Sequence, residues 1–369
     1  MMKTATITFH APNNNGSFLQ AYALQKYLKN HFNNLDNDII DFQPEAQQQQ
    51  YAIIRKVNSP KDILRNFISI AHYRDLSKRT DTFKKMRERY LKMTSRCMTA
   101  DEAIDVARKY DLVIAGSDQI WNTTARDFSE AYILPDIPKK ATYAVSCGSN
   151  LNEIDRDKIC HAIESFENIS VRENATRDFL EAHSHKNVKT VLDPTFLLTK
   201  EDYSELYEKE PLIKEKYIFL YTINYNDAAL EQAVKIAKKL GRPIVTPFAG
   251  YSAIKAKKYG IKILWDVAPN AFLNLIENAE CVCSNSFHGI AFSIILKKNF
   301  YRVGPVDKYG KIKVDDRIDN ILKLCGLTGR NYNENYEYKQ INYDIVDLAL
   351  NKYRIESEQY IQEMLEQIG

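Results

Sequence analysis

The sequence predicts an α/β protein with two doubly wound, parallel-sheet domains, a helical insert in the first domain and a helix at the carboxyl end. Three observations lead to this prediction. The chain has 369 residues, which suits two domains better than one. Short apolar runs alternate with amphipathic stretches in both halves, which is typical of parallel strands covered by helices on both faces. Polar segments directly follow several of these runs, as ligand-binding residues do in such sheets.

The first predicted domain covers residues 1–187. Its first helix is predicted near residues 17–28, where apolar residues recur with helical spacing. Its strands are predicted from short apolar runs near residues 4–9, 38–42, 112–115, 142–146 and 169–171.

The second predicted domain, residues 188–335, repeats the alternation after Pro194. Its strands are predicted at residues 217–223, 244–246, 261–264 and 281–283, and its helices at residues 227–240, at residues 269–279 and from Phe287 onward. Gly241 suits the end of the first of these helices, and Pro269 suits the first turn of the next. Two such halves in one chain resemble the GT-B arrangement, in which ligands bind in a cleft between the carboxyl ends of two sheets.

Two further segments are predicted to be helical. The tail, residues 336–369, should contain a helix that packs back on the first domain, because apolar residues near its end keep helical spacing: Ile361, Met364, Leu365 and Ile368. The insert, about residues 47–100, is basic, since residues 55–96 hold 13 Lys or Arg against 4 Asp or Glu. Its amphipathic helices either contact anionic lipid or an anionic, membrane-borne ligand, or form an ordinary solvated face. Residues 47–50 are interpreted as a loop.

The composition excludes several classes of protein. The 51 Lys and Arg against 48 Asp and Glu give a formal net charge of +3, which is too balanced for a dedicated nucleic-acid-binding protein. The amino terminus reads as a strand, and no apolar run approaches the roughly 18 residues that cross a bilayer. The six cysteines show no disulfide framework. We therefore expect a cytoplasmic protein, at the inner face of the membrane if the insert contacts lipid.

The histidines show no spacing with Cys, Asp or Glu that is typical of a metal site. We therefore predict neither a metal nor another cofactor.

The segment at residues 280–296 carries the clearest sign of chemistry. A short apolar strand is followed by three residues that favour helix N-caps: Ser284, Asn285 and Ser286. An apolar helix then begins near Phe287 and places His288 on its first turn, beside backbone N–H groups that bind anions. An imidazole there can exchange a proton with a bound phosphate or carboxylate. The alternative is an ordinary polar residue near a helix start.

Arg172 directly follows the strand predicted near residues 169–171. Its guanidinium suits bidentate contacts to carboxylate or phosphate groups. A surface ion pair with Glu173 or Asp178 is the alternative.

Two loops of the first half contain residues that suit a saccharide. The turn after residues 112–115 has types that bind sugar hydroxyls and sugar faces, namely Ser117, Asp118, Trp121 and Asn122. A helix cap with Trp121 in the core is the alternative there. In the earlier loop, Asn15 and Gly16 allow a close approach of the backbone to a ligand.

Five segments, in this order, resemble the polysaccharide pyruvyl transferase family. They are Asn14–Leu24, Asp111–Asn122, Ile169–Asn174, Val191–Leu198 and Asn285–Gly289. One motif would be weak evidence, but five at similar spacing are strong evidence. The resemblance extends from about Asn13 to Arg330.

The resemblance implies a GT-B-like enzyme that needs no metal. Members transfer the pyruvyl group of phosphoenolpyruvate to a hexose of a surface polysaccharide precursor, such as exopolysaccharide or capsule, and form a pyruvate ketal. The family's pattern implies that His288 and Arg172 lie at the donor. We assign donor binding to the neighbours Ser284, Asn285, Ser286, Phe287 and Gly289. We assign acceptor binding to Asn15, Gly16, Ser117, Asp118, Trp121 and Asn122.

Two other functions fit the same predicted architecture, because a fold does not fix a function. One is a nucleotide-sugar glycosyltransferase, and the other is a non-catalytic saccharide-binding subunit. The partners predicted for the leading function are phosphoenolpyruvate and a saccharide that is lipid-linked, nucleotide-linked or polymeric.

Overall fold

Two parallel-sheet units form the structure, a computed structural model that describes residues 1–148, 150–223, 225–248 and 250–366. The first unit consists of Met1–Lys56, Phe83–Leu198 and the chain from Asn351 onward. The second consists of Val57–Thr82 and Thr199–Leu350. Parallel strands and helices make up both units, which confirms the predicted α/β class.

The strands of the first unit are short. They are β1 (Met2–Ile7), β2 (Leu35–Ile39), β3 (Leu112–Ala115), β4 (Lys140–Thr142), β5 (Ser170–Val171) and β6 (Lys189–Thr190). Strands β2 and β4 begin before the predicted ranges 38–42 and 142–146, and β6 was not predicted, because these strands contain many polar residues. The main sheet has the order β2-β1-β3-β4, and β5 pairs with β6. Parallel bridges from Ala141 to Asn168 and from Val145 to Val171 continue the sheet from β4 to β5. The carboxyl ends therefore meet at one edge of the sheet.

The second unit contains a parallel sheet of its own. Its strands are β7 (Ile218–Tyr221), β8 (Ile244–Pro247), β9 (Lys262–Leu264), β10 (Cys281–Ser284) and β11 (Phe300–Arg302). Their order is β11-β10-β7-β8-β9. Because β10 and β7 are neighbours, the segments after Ser284 and after Tyr221 lie side by side.

The helices cover these sheets and form the insert and the tail. In chain order they are α1 (Asn15–His31), α2 (Glu45–Tyr51), α3 (Pro60–Ala71), α4 (Tyr73–Tyr90), α5 (Ala100–Ala107), α6 (Arg156–Ile163), α7 (Asn174–His183), α8 (Lys200–Tyr203), α9 (Asp227–Leu240), α10 (Pro269–Asn278), α11 (Phe287–Ile295), α12 (Asp316–Leu324) and α13 (Tyr343–Glu366). Helix α9 has its predicted bounds because Asn226 caps its start and Gly241, at φ 63°, ends it. Within the described ranges, none of these helices is both long and apolar enough to traverse a bilayer.

The division into units differs in three places from the predicted domain boundaries. The first part of the predicted tail, residues 336–350, belongs to the second unit. Residues 188–198 belong to the first unit rather than the second, because β6 pairs with β5 and the short 3-10 helix at Pro194–Leu197 packs on α1. The basic insert is also divided, since Val57–Thr82 belongs to the second unit.

The last helix begins in the second unit and ends in the first. In the first unit the Tyr360 hydroxyl donates to the Thr142 carbonyl at 2.8 Å, and the Leu192 N–H donates to the Ser357 hydroxyl at 2.9 Å. The apolar stripe is buried at Ile361, Met364 and Leu365, whereas the predicted fourth member, Ile368, lies outside the described residues.

Candidate active site

The turn after β3 brings polar groups to the carboxyl edge of the first sheet. Gly116 has φ 134°, and a Cβ there would lie 2.0 Å from the Tyr143 carbonyl oxygen, so the position requires glycine. The next residue, Ser117, is fully buried. Its hydroxyl donates to the Ala144 carbonyl at 2.8 Å and lies 3.4 Å from a carboxylate oxygen of Asp193. Ser117 therefore fixes the turn from inside the protein.

Arg172 follows β5 and lies buried among three carboxylates. Its Nε donates to Glu173 at 2.7 Å, one terminal nitrogen donates to Asp193 at 2.9 Å, and the other lies 3.4 Å from Asp118. Burial acts to lower the pKa of Arg172, but the three negative charges outweigh it and raise the pKa above its ordinary value. The guanidinium is therefore a permanent cation inside an acidic cluster.

The cluster around Arg172 contains one of its two predicted ion-pair partners. This partner is Glu173, whereas Asp178 pairs with Arg177 at 2.7 Å. The guanidinium of Arg172 is bound by carboxylates of the protein itself. Arg172 therefore fits the role of a residue that holds Asp118 in position. The contact of Arg172 with a donor anion stays a prediction.

Asn15 and Gly16 form the first turn of α1, next to the same edge. The Gly16 N–H donates to the Asn14 side chain at 3.0 Å, which caps the helix. The Ser17 hydroxyl donates to Asp118 at 3.1 Å, so the start of α1 is tied to the turn after β3. The predicted acceptor residues of both loops, Asn15 and Asp118 among them, thus lie at one edge of the first unit.

Trp121 and Asn122 are placed differently from each other. Trp121 is fully buried, its indole N–H donates to the Tyr132 carbonyl at 3.1 Å, and its ring meets Phe166 edge to face. This is the core position considered as the alternative to sugar binding. Asn122 is partly exposed, and its side-chain oxygen accepts from the Thr124 hydroxyl at 2.7 Å.

A group of residues around α2 was not predicted from the sequence. The interpretation of residues 47–50 as a loop is wrong, because they lie within a helix that buries Gln47, and glutamine is a good helix former. Burial raises the pKa of Asp127, Asp118 raises it further, and Gln47 acts the other way. Burial together with the charges of Asp127 and Asp118 also raises the pKa of the Tyr51 hydroxyl.

This group contains buried polar atoms that no protein group satisfies. Within the described chain, atoms of this kind include Asn15 Oδ1, Gln47 Nε2 and Tyr132 Oη. Gln47 influences the pKa values of Asp127 and Tyr132, yet its Nε2 meets hydrogen-bond geometry with neither. Buried polar atoms normally have a partner. A ligand with several hydroxyl groups can supply both donors and acceptors to such a group.

In the second unit, Ser284 holds the turn between β10 and α11. Its hydroxyl donates to the Tyr221 carbonyl at 2.6 Å and accepts from the Ser286 N–H at 3.0 Å. Gly289 packs against this turn, and a Cβ there would lie 2.2 Å from Ser284 Oγ and 2.9 Å from Tyr221 Cδ1. The glycine is therefore required by close packing.

Asn285 joins the turn to the end of β7. Its side-chain oxygen accepts from the Thr222 hydroxyl at 2.7 Å and from the Ile223 N–H at 3.0 Å. These contacts assign Asn285 a role in holding two neighbouring strand ends together, and its predicted contact with the donor stays a prediction.

Helix α11 begins as predicted and carries His288 on its first turn. Its N-cap residue, Ser286, makes no cap hydrogen bond with its side chain, and the Ile290 N–H donates to the Ser286 carbonyl at 3.0 Å. His288 is 9% exposed and meets Phe287 edge to face, with ring centroids 5.2 Å apart. The N-terminal end of a helix is partly positive and favours anions. An imidazole at this end can exchange a proton with a bound anion.

Among the described residues, no group of three or more His, Cys, Asp or Glu is arranged to hold a metal ion. The predicted independence from metals and other cofactors stays a prediction.

The fold and these groups define an α/β protein of GT-B-like architecture with polar residues at the carboxyl ends of its parallel strands. The model of the family "Polysaccharide pyruvyl transferase" matches residues 14–308. The chain belongs to this family, which confirms the resemblance of its five segments. A comparison with curated proteins gave no significant match.

Solved structures similar to this chain include UDP-GlcNAc 2-epimerases. The enzyme of Methanocaldococcus jannaschii, in complex with UDP-GlcNAc and UDP, is 15% identical and aligns over 99% of this chain and 100% of its own, with a TM-score of 0.52. The enzyme of Neisseria meningitidis, bound to UDP-GlcNAc, is 12% identical over 98% of this chain and 94% of its own, with a TM-score of 0.50. At these identities the likeness supports the fold alone.

The packing of Gly289 against Ser284 yields a stability prediction. Gly289→Ala should lower the free energy of unfolding by about 1–3 kcal/mol, because the added methyl group overlaps Ser284 Oγ. Gly329→Ala is the matched control, since a Cβ there meets nothing within 4 Å. In the double variant Ser284→Ala/Gly289→Ala, the loss should be smaller than the sum of the single losses. Urea denaturation of the parent, the Ser284→Ala and Gly289→Ala variants, the double variant and the Gly329→Ala control measures these losses. Additive losses would contradict the proposed overlap.

Proposed function

We propose that this protein transfers the pyruvyl group of phosphoenolpyruvate to two hydroxyl groups of a hexose and forms a pyruvate ketal. The observation that carries the proposal is the family match over residues 14–308, which includes the turn that presents His288 at the start of α11. The acceptor that the family suggests is a saccharide of a surface polysaccharide precursor.

The reaction requires one proton transfer to carbon and the loss of phosphate. A proton added to the methylene carbon of phosphoenolpyruvate makes C2 electrophilic, and a hexose hydroxyl attacks C2 and loses its proton. The C2–O bond to phosphate then breaks, a second hydroxyl attacks C2, and its proton leaves with the phosphate. The products are the ketal and inorganic phosphate, so that atoms and charges balance.

His288 is assigned to the donor in this proposal. The imidazole suits the transfer of a proton to the donor, or the contact with its phosphate, because it lies at the positive end of α11. Ser284 and Gly289 act indirectly, since they fix the turn that carries the imidazole.

The acceptor is assigned to the edge of the first sheet. Asp118 and Asp127 supply carboxylates there, and Asn15, Gln47 and Tyr132 supply buried polar atoms without partners. Arg172 supplies one positive charge against the three carboxylates around it. An acidic, polar surface of this kind favours an uncharged, hydroxylated ligand over an anion. We therefore propose that Arg172 positions Asp118 for the acceptor, in addition to any contact with the donor.

The donor can be identified by ligand-induced stabilisation. Phosphoenolpyruvate at 100 times its dissociation constant should add about 2.7 kcal/mol of stability and raise the melting temperature. UDP-GlcNAc and inorganic phosphate serve as comparison ligands. A shift with UDP-GlcNAc alone would replace the proposal by a nucleotide-sugar glycosyltransferase, and a shift with neither donor would favour a non-catalytic saccharide-binding subunit.

Replacing His288 tests its role in the reaction. His288→Ala should reduce phosphate release from phosphoenolpyruvate, in the presence of soluble hexosides, by about 100-fold or more, the usual scale for a lost general acid or base. The melting temperature should stay near that of the parent protein. His185→Ala, which alters an exposed histidine, is the matched control. Turnover of the His288 variant within threefold of the parent would remove His288 from the mechanism.

Asp127 provides a test of the acceptor assignment with a pH dependence. Because burial raises the pKa of Asp127, the folded state loses stability as pH rises through this raised pKa. Asp127→Asn should therefore raise the melting temperature at neutral pH, with a gain that disappears near pH 4, while the KM for the hexoside increases. Asp81→Asn, at an exposed site, is the control. An unchanged KM would place the acceptor elsewhere.

A further inference from the structure

Helix α3 of the second unit has its apolar residues on the outside. The exposed fraction of the side chain is 59% for Ile63, 70% for Phe67 and 63% for Ile70, and Leu64 and Tyr73 are also exposed. Residues 63, 67 and 70 recur with helical spacing, so they form one face. Scattered exposed apolar residues are ordinary, but a continuous apolar face of a helix indicates an interaction surface.

A stripe beside this apolar face of α3 is polar and buried. Asn66 and Ser69 are 9% and 2% exposed, although asparagine and serine are usually found at the surface. The helix is thus inverted relative to an ordinary amphipathic helix of a globular protein, which turns its apolar stripe toward the core.

Contacts beyond α3 hold this orientation in place. The His72 ring stacks on Trp265 with the ring centroids 3.4 Å apart, and Arg79 donates to the Phe248 carbonyl at 3.1 Å. Lys78 pairs with Asp266 at 2.6 Å. These contacts lie at the end of α3 and in α4, so they attach the segment to the second unit while the apolar face of α3 stays exposed.

The segment that carries the exposed apolar face is basic. Residues 55–82 hold seven Lys or Arg against three Asp, and the Lys61 and Arg74 side chains are exposed near the two ends of α3. The acidic residue of this helix, Asp62, is engaged at the helix start, where its carboxylate accepts from the Ser59 hydroxyl at 2.8 Å. The segment around the apolar face therefore carries a net positive charge.

We propose that the face of α3 formed by Ile63, Phe67 and Ile70 docks on the surface of an anionic lipid bilayer. An apolar helix face in a basic segment has the composition of helices that lie in the membrane interface, where the apolar side chains enter the acyl boundary and the cations meet lipid phosphates. A second copy of the chain fits less well, because the two basic segments would repel each other.

The proposed contact with lipid is separate from the proposed transfer reaction and does not depend on it. Binding to anionic lipid accounts for the basic composition of the insert, which the transfer chemistry does not require. Failure of docking therefore leaves the proposed activity on a soluble acceptor untouched.

Binding of the full-length protein to vesicles tests the proposal. We expect it to sediment with vesicles that contain about one third phosphatidylglycerol at least 10-fold more strongly than with phosphatidylcholine alone, and less strongly as salt increases. The triple variant Ile63→Gln/Phe67→Gln/Ile70→Gln should lose at least about 10-fold of this binding. The pair Ile345→Gln/Leu348→Gln, which alters exposed apolar residues of α13, is the matched control and should bind like the parent.

Further measurements separate the possible outcomes. Turnover of soluble hexosides should be the same for the parent and the triple variant, and Phe67→Ser alone provides a milder change if the triple variant folds poorly. Equal vesicle binding by the triple variant and the parent would overturn the proposal, as would equal binding to both kinds of vesicle. If the parent instead forms a dimer in sedimentation equilibrium that the triple variant does not form, the face binds a second copy and the lipid proposal is wrong.

Discussion

The buried guanidinium of Arg172 is the interaction on which the carboxyl edge of the first sheet depends. Its carboxylate partners come from separate segments, because Asp118 follows β3, Glu173 follows β5 and Asp193 precedes the short 3-10 helix that packs on α1. Removing the cation would leave buried carboxylates without a counter-charge, which is far more costly than losing a surface ion pair. The cation thus adds side-chain contacts to the backbone bridges between these segments and fixes the positions of their carboxylates.

The two units hold the loops at the ends of their strands by different interactions. In the first, three carboxylates surround the buried guanidinium, and polar atoms at Asn15, Gln47 and Tyr132 have no hydrogen-bond partner among the described residues. In the second, the turn before His288 is held by neutral hydrogen bonds, which the Ser284 hydroxyl donates and the Asn285 side-chain oxygen accepts. Its charge comes from the backbone of α11. This contrast supports assigning an uncharged, hydroxylated ligand to the first unit and an anion to the second.

The sequence predicted what depends on local pattern. The strands β7 to β10, the bounds of α9 and the start of α11 follow from apolar runs, caps and glycine, all of which act over a few residues. Strands β2 and β6 were not predicted at their observed positions, because their residues are largely polar. The ion cluster of Arg172 was not predictable as a whole, because Asp118 and Asp193 are distant in sequence from the arginine. Trp121 shows the same limit, since its residue type suits either a sugar face or a core and only tertiary packing decides. Gln47 was missed because a polar run carries no signal of burial.

The inverted orientation of α3 has a consequence for the dynamics of the second unit. A helix that buries Asn66 and Ser69 gains little from the hydrophobic effect, so its attachment relies on a few contacts such as the stacking of His72 on Trp265. Segments with little buried apolar area open by local unfolding at a small cost in free energy, while the sheet beneath them stays folded. Helix α3 can therefore leave its contacts with the second unit while the sheet that supports α11 and His288 stays folded.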